Sequence, residues 1–353
     1  MTASLEVDPA TRLDEVRDDW IRLADAAGNP FSTWEWASIW WRHFGRDREP
    51  VVVRLRDSGG EVRAVVPLYV SATRPARMLR LVGHGPADQL GPVCAPGDAQ
   101  AALEAVRGEL ERGLAGCQLA LLERLPGERG LSAAFGGRVV ITEPSPILEH
   151  DGDFDSFLAA RSRNFREQVR RRERRLSRDH GVEFALTTSP DTLDEDYTTL
   201  VDLHRRRWGE DSRAFDPPRD RFHREFAAAA LERGWLRLWT LKLDGRPVAA
   251  WLGYRMGGAE WYYQAGRDPA LEREAVGFVL MAHTVRSALD DGIHRYRLLL
   301  GGEAYKDRFA TADYGLDTTA LGLGLRGRAV VAAARAAAAS PPVLRRRLRR
   351  FAA

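Results

Sequence analysis

Tyr305 and Lys306 place a phenol and an ammonium just beyond the stretch Arg295 to Leu300, which reads as a strand. A cleft in a mixed sheet tends to open at such a strand end. Donors there could hydrogen-bond a developing oxyanion or neutralise a phosphate. Tyr262, Tyr263 and Gln264 close an earlier strand, where alternation puts Tyr263 on the face opposite Tyr262 and Gln264. One phenol then faces the core and the other, taken as Tyr263, is free to donate a proton. In the first half, Asp88 ends the turn Gly83, His84, Gly85, Pro86, Ala87, Asp88, whose glycines let a carboxylate approach a ligand closely. A solvated loop acid is an equally good reading of Asp88. His204 shares a helical face with Tyr197, Leu200 and Trp208, which reads as a satisfied core histidine with Trp208 also in the core. The two cysteines, Cys94 and Cys117, read as small core residues, and no histidine, cysteine or carboxylate spacing matches a metal site.

The elements that must hold these residues come in two similar runs. Helical periodicity covers Leu13 to Ala26 and Trp34 to Phe44, divided by Gly28, Asn29 and Pro30, and strands follow at Val51 to Leu55 and Val62 to Val70. The second half repeats that order with helices at Asp191 to Trp208 and Arg219 to Leu231 and a strand at Trp235 to Leu243. A type I′ turn at Asp244 and Gly245 then leads into Val248 to Met256, and Gly257 and Gly258 turn the chain into Glu260 to Tyr263. A helix over Ala275 to Asp290 and the strand Arg295 to Leu300 form a parallel crossover. Two antiparallel meanders, one joined to a parallel crossover, predict an α/β (α+β) chain of two related domains with mixed, mostly antiparallel sheets. The expected boundaries are 1–150 and 151–325, with a basic tail at 326–353.

Phe154 to Leu176 reads as one helix, because Phe154, Leu158, Phe165, Val169 and Leu176 share a face. Nine arginines and two glutamates between Arg161 and Arg178 make its other side cationic. Arg163 and its neighbours suit phosphate or carboxylate recognition, and a solvated face is the competing reading. Net charge is +3, but eight arginines follow the last acidic residue, Asp317. The rest of the chain carries 45 basic against 50 acidic residues. The tail's Leu344, Leu348 and Phe351 among arginines suit peripheral contact with an anionic membrane surface, or a disordered cationic end. With acids throughout residues 1 to 20, no targeting segment is visible and a cytoplasmic address is expected.

These features resemble the GNAT superfamily of N-acyltransferases, in the branch of cellulose-biosynthesis-type acetyltransferases, distantly like the Fem peptidoglycan aminoacyltransferases. The resemblance rests on the arginine helix Asn164 to Leu176, on Leu203 to Trp208, and on the meander Trp235 to Gly266. Its most specific part is Gly301 to Phe309, which is similar to the branch signature of an aromatic residue, lysine, two residues and phenylalanine. In the first half it rests on Asn29 to Phe31, Pro67 to Tyr69 and Gly83 to Asp88. It implies tandem GNAT-like domains, with donor chemistry in the second and Trp208 near a substrate cleft. It also implies acetyl-CoA or another acyl-CoA as co-substrate. The donor pyrophosphate would lie at the helix start that matches Glu274 to Val279, which assigns Gly277, Phe278 and Val279 to the cofactor and no metal to the chain.

Acyl transfer by direct attack onto an amine or hydroxyl of a sugar, polysaccharide or cell-envelope precursor is the expectation that follows. Aminoacyl transfer from aminoacyl-tRNA to a peptidoglycan precursor remains open beside it. So does a non-catalytic module that binds nucleic acid or an acidic partner through its arginines.

Overall fold

In the computed structural model, residues 6–10, 12–71, 77–209 and 212–338 are described. Their contacts divide into two compact units, Met1–Pro144 with Tyr314–Ala353, and Ser145–Asp313.

The first unit contains β1 (Glu6–Ala10), α1 (Arg17–Ala27), α2 (Trp34–Phe44), β2 (Glu49–Arg56), β3 (Val62–Ser71), β4 (Met78–Leu81), β5 (Val93–Cys94), α3 (Ala99–Glu111), β6 (Leu119–Pro126), α4 (Leu131–Phe135) and β7 (Arg138–Glu143). Local chemistry sets several of these limits. The Thr33 hydroxyl accepts from the Trp36 N–H and starts α2 at Trp34, and Gly28 in a left-handed conformation stops α1. Trp20, Trp36 and Trp40 are fully buried beneath the two helices.

The second unit contains β8 (Pro146–Glu149), α5 (Phe154–Ala160), α6 (Arg163–Asp179), β9 (Val182–Leu186), α7 (Pro190–Trp208), α8 (Pro217–Glu232), β10 (Leu236–Leu243), β11 (Arg246–Met256), β12 (Ala259–Arg267), α9 (Val276–Asp290), β13 (Arg295–Arg297), α10 (Ala304–Asp307) and β14 (Ala312–Asp313). The chain then adds β15 (Leu316–Gly322) and α11 (Gly324–Ala338), both in the first unit.

The strand orders show the duplication. One sheet runs β1-β2-β3-β4-β6-β15-β7 and the other β9-β10-β11-β12-β13-β8-β14. In each, four antiparallel strands lead to one parallel pair, β4 with β6 and β12 with β13. The sixth place is filled out of sequence order in both cases. β15 lies between β6 and β7, and β8 lies between β13 and β14. The chain thus forms two mixed, mostly antiparallel sheets flanked by helices. Asp244 and Gly245 both take positive φ, 52° and 79°, as the type I′ turn between β10 and β11 requires.

Four expectations need correction. The second domain does not extend to 325, because β15 gains ladders from both β6 and β7 and so stays with the first sheet. It begins before 151, with β8. Phe154 to Leu176 is two helices, since the Ser162 hydroxyl accepts from the Phe165 N–H and opens α6 afresh while the apolar stripe continues across the break. The strand at Arg295 ends at Arg297, two residues before Leu299 takes a φ of 55°. Residues after 325 are not all tail. Val331 of α11 is 7% exposed and packs on Leu119 and Ala320, and the Leu323 N–H donates to the Gln118 carbonyl at 2.8 Å. Residues 339–353, which carry the membrane-contact expectation, lie outside the described residues.

Candidate active site

β12 and β13 run parallel only through Trp261 and Arg297, and beyond that register the strands part. Tyr262, the next residue of β12, lines a cleft of about 290 Å³ formed by β11, β12, the loop after β12, the first turns of α9, Arg172 of α6, Arg207 of α7, and Tyr305. On β12 the register slips between Leu252 and Gly253, which face Gln264 and Tyr262, so Tyr263 is an extra, bulged residue. The bulge shifts the alternation. Tyr262 and Ala265, three residues apart, both line the cleft, where strict alternation had paired Tyr262 with Gln264. Gly266 lets α7 approach β12, since a Cβ there would run into the backbone of Leu203 and His204.

The cleft's floor is aromatic. Trp251 stacks on Tyr262, with ring centroids 5.8 Å apart and planes 25° from parallel. The Tyr262 and Tyr305 hydroxyls are 2.8 Å apart. Burial pushes the Tyr262 phenol up to about 12 against the lowering effect of Tyr305, and burial followed by the nearby Tyr262 raises Tyr305 further. Both are neutral donors at neutral pH.

One wall starts α9. Ala275 takes a left-handed conformation before the helix and no side chain caps it, so the N–H groups of Val276 and Gly277 precede the first intrahelical bonds. Arg172, Arg207 and Arg267 line the same cleft, against one carboxylate, Glu272. Phe278 stands between the Arg172 and Arg308 guanidiniums, 4.8 and 5.5 Å from its ring centroid. Burial, then the charges of Arg308 and Arg171, pulls the Arg172 pKa below its ordinary value. Crowded cations beside free helical N–H groups suit a bound polyanion such as a pyrophosphate.

The expected site residues divide. Tyr305, Gly277 and Phe278 meet in the cleft. Val279 is buried in the core behind them. Tyr263 points away: its hydroxyl is 3.3 Å from His223 Nε2 and its ring lies against that imidazole, so Tyr262 is the cleft phenol and the assignment of Tyr263 is corrected. Lys306 is 3% exposed and does not line the cleft. Its Nζ donates to the Leu300 carbonyl at 2.6 Å and lies 3.0 Å from Glu303, which ties down a loop carrying positive φ at Leu299 and Gly301. Lys306 therefore positions Tyr305 through the loop. Arg163 is exposed at the start of α6, paired with Glu167 and away from the cleft. Trp208, read as core, is 51% exposed at the end of α7 under the Arg207 guanidinium. Asp88 belongs to the first unit, where it is buried and faces Arg124 at 3.4 Å.

His204 is satisfied on both nitrogens, donating from Nδ1 to the Ala265 carbonyl and accepting from Ser212 at Nε2. Cys94 and Cys117 are buried in the first unit, and burial pushes their thiols up to about 12 and about 11. Sequence reasoning missed Trp251, Tyr262 as the cleft phenol, Gly266 and Arg267, and of the arginine helix and the Leu203 to Trp208 segment it singled out neither Arg172 nor Arg207. A tryptophan inside an apolar strand carries no signal of its own, and the arginine helix does not by itself show which of its nine arginines faces a cleft.

The family model described as "Acetyltransferase (GNAT) domain" matches residues 163–307, the segment that contains every cleft residue. Residues 163–307 form a GNAT acetyltransferase domain. The chain is accordingly an enzyme of the acyltransferase class. No curated protein sequence matches it. Among solved structures, FemX is similar at a TM-score of 0.63 and 11% identity, over 93% of this chain and 100% of that one. The C-terminal domain of a putative lysylphosphatidylglycerol synthetase from Agrobacterium fabrum gives 0.56 at 14% identity, over 90% of this chain and 94% of that one. The L-PGS structure from Bacillus licheniformis gives 0.57 at 13%, over 92% and 96%. At such identities the likeness concerns fold, and the chemistry of this GNAT domain rests on its own cleft.

Proposed function

We propose that the GNAT domain transfers an acyl group from acyl-CoA to an amine or hydroxyl by direct attack within a ternary complex. The observation that carries this reading is the convergence, in one cleft, of the uncapped start of α9 at Gly277, three arginines and the Tyr262–Tyr305 pair. The helix start and the guanidiniums neutralise the donor's pyrophosphate. The pantetheine arm then runs toward the gap between β12 and β13. The acceptor's lone pair adds to the thioester carbonyl carbon, the C–S bond breaks as the tetrahedral intermediate collapses, and the Tyr305 hydroxyl hydrogen-bonds the departing sulfur. The proton lost by the acceptor passes through water to that sulfur, giving the free thiol of coenzyme A. The raised pKa of Tyr305 keeps the phenol neutral, so it serves that step as a hydrogen-bond donor to the developing thiolate. Tyr262 hydrogen-bonds Tyr305 and fixes its direction.

The acceptor fits the class of sugars, polysaccharides or cell-envelope precursors, in the cytoplasm or at the inner face of the membrane. FemX and the lysylphosphatidylglycerol synthetases lend this reading a shared fold. The first unit we assign to acceptor binding or support, without donor chemistry. Calorimetric titration of the full chain with coenzyme A and acetyl-CoA tests the donor. Ligand at a hundred times its Kd should raise stability by about 2.7 kcal/mol. Absence of binding at millimolar concentration, together with stabilisation by an aminoacyl-tRNA, would replace this reading with aminoacyl transfer.

A further inference from the structure

Trp251 is 1% exposed, lines the cleft, and its Nε1–H has no hydrogen-bond partner among the described residues. A buried indole N–H without an acceptor costs free energy comparable to a lost hydrogen bond, and native folds keep few of them. The ring cannot readily turn to find one. It stacks on Tyr262, lies 6.0 Å from Tyr296, and occupies the space that a side chain at Gly253 would need. Trp251 is thus held by three neighbours with its donor unused.

We propose that this N–H is completed by the substrate, and that the enzyme's acyl group carries an acceptor oxygen on its chain, as in a hydroxyacyl or oxoacyl thioester. The inference rests on the acyl-CoA reading. The surroundings limit the chemistry further. Ala250, Ala265, Leu280 and Met281 make the adjoining walls apolar, so the acyl chain itself is mostly hydrocarbon. Arg172, Arg207 and Arg267 outnumber Glu272, which disfavours an acyl group bearing an ammonium, the aminoacyl case. A plain acetyl group offers only its thioester carbonyl, which the reaction needs at the point of attack. A site with a buried donor discriminates against a ligand lacking the matching acceptor, because the donor is then left dry and unpaired.

The test compares dissociation constants of 3-hydroxybutyryl-CoA, acetoacetyl-CoA and butyryl-CoA, matched in chain length, for the full-length protein and for Trp251→Phe. The expected result for the unmodified protein is at least about tenfold tighter binding of the two oxygenated donors, the size of one buried hydrogen bond. In Trp251→Phe, which keeps a ring in the stack and drops the N–H, the ratio should fall below about threefold. Equal binding of all three by the unmodified protein overturns this inference on its own, whether or not the variant folds. So does a ratio that survives in a folded Trp251→Phe. Failure of all donors and of coenzyme A itself to bind overturns the acyl-CoA reading together with this one. Binding of coenzyme A without discrimination overturns only the present inference.

Discussion

The two parallel strand pairs part in the same way and are finished in opposite ways. In the second unit, β12 and β13 separate after Trp261 and Arg297, and the gap adjoins a cleft with free helical N–H groups and an unused indole donor. In the first unit, β4 and β6 separate after Arg80 and Leu121, but the gap is knitted shut. Arg80 grips Glu123 with two nitrogens, at 2.6 and 3.2 Å. His84 reaches the same carboxylate at 3.4 Å, and the Arg124 guanidinium donates to the Gly85 and Ala87 carbonyls beside Asp88. Even the backbone device is shared, since a non-glycine residue takes positive φ just past each parting, Arg124 at 58° and Leu299 at 55°. A duplicated fold therefore duplicates the place where a site can form, and the side chains decide whether it does.

The largest expected effect comes from undoing the closed gap. Glu123→Ala takes the bidentate partner from a nearly buried Arg80 and should cost about 3 kcal/mol of stability. Every cleft residue lies in the other unit, so the Kd for coenzyme A should stay within about twofold. Chemical denaturation and calorimetry read the two quantities separately. An unchanged denaturation midpoint would mean that the first gap is not held by this carboxylate.

In the open gap, Lys306→Met should cost about 2 kcal/mol, because the Leu300 carbonyl and Glu303 both lose a nearly fully buried ammonium. Turnover should fall as well, through misplacement of Tyr305. Tyr305→Phe should lower turnover at least about tenfold with the melting temperature within a few degrees, since only one hydroxyl is removed from a half-buried ring. Stability that is unaffected in Lys306→Met would mean that the ammonium does not hold the loop in place.

Truncation tests the first unit by a smaller margin. Ending the chain at Ala338 should leave its melting unchanged, whereas ending it at Leu325 removes Val331 and Val330 from their contacts with Leu119, Leu121 and Val140. That loss should cost about 2 kcal/mol. Equal melting of the two truncated proteins would show that α11 adds nothing to the fold.

How much of this was legible follows from the range of the interactions. Local signals read well: α2 starts and stops at its expected residues, the Asp244–Gly245 turn has its expected hand, and Gly277 and Tyr305 reach one cleft. Features set by distant partners did not. The Phe165 and Leu176 stripe lines up with Phe154 across the Ser162 break, so periodicity alone cannot see two helices. The out-of-order places of β8 and β15 depend on pairings between residues far apart in sequence, for which no local pattern exists. The bulge at Tyr263 reverses which tyrosine faces the cleft, and only the register with β11 reveals it. Lysine ordinarily reads as surface. Its burial at 306 depends on the loop that curls back over it.

The smallest expected effect distinguishes the units by pH. His283 on α9 lies flat against Phe184, with centroids 3.8 Å apart and planes 5° from parallel, and the edge of Trp239 meets it at 4.8 Å. Burial, followed by the charge of Arg286, lowers its pKa to about 4 from an ordinary 6.5. The native state therefore binds fewer protons than the unfolded chain between those values. Stability contributed by the neutral ring is fully present above pH 6.5 and is lost as pH falls through 4. His283→Phe keeps an aromatic ring in the stack and removes the titration. The variant's stability relative to the unmodified protein should rise steadily as pH is lowered from 6.5 to 4, by less than the limit of about 1.4 kcal/mol per pH unit that one proton allows. The first unit has no part in that difference, so Glu123→Ala combined with His283→Phe should show the same pH trend as His283→Phe alone. A stability difference that stays flat from pH 6.5 to 4 would show that the imidazole charges freely in the folded state, and that the α9 face against Phe184 and Trp239 is open to solvent.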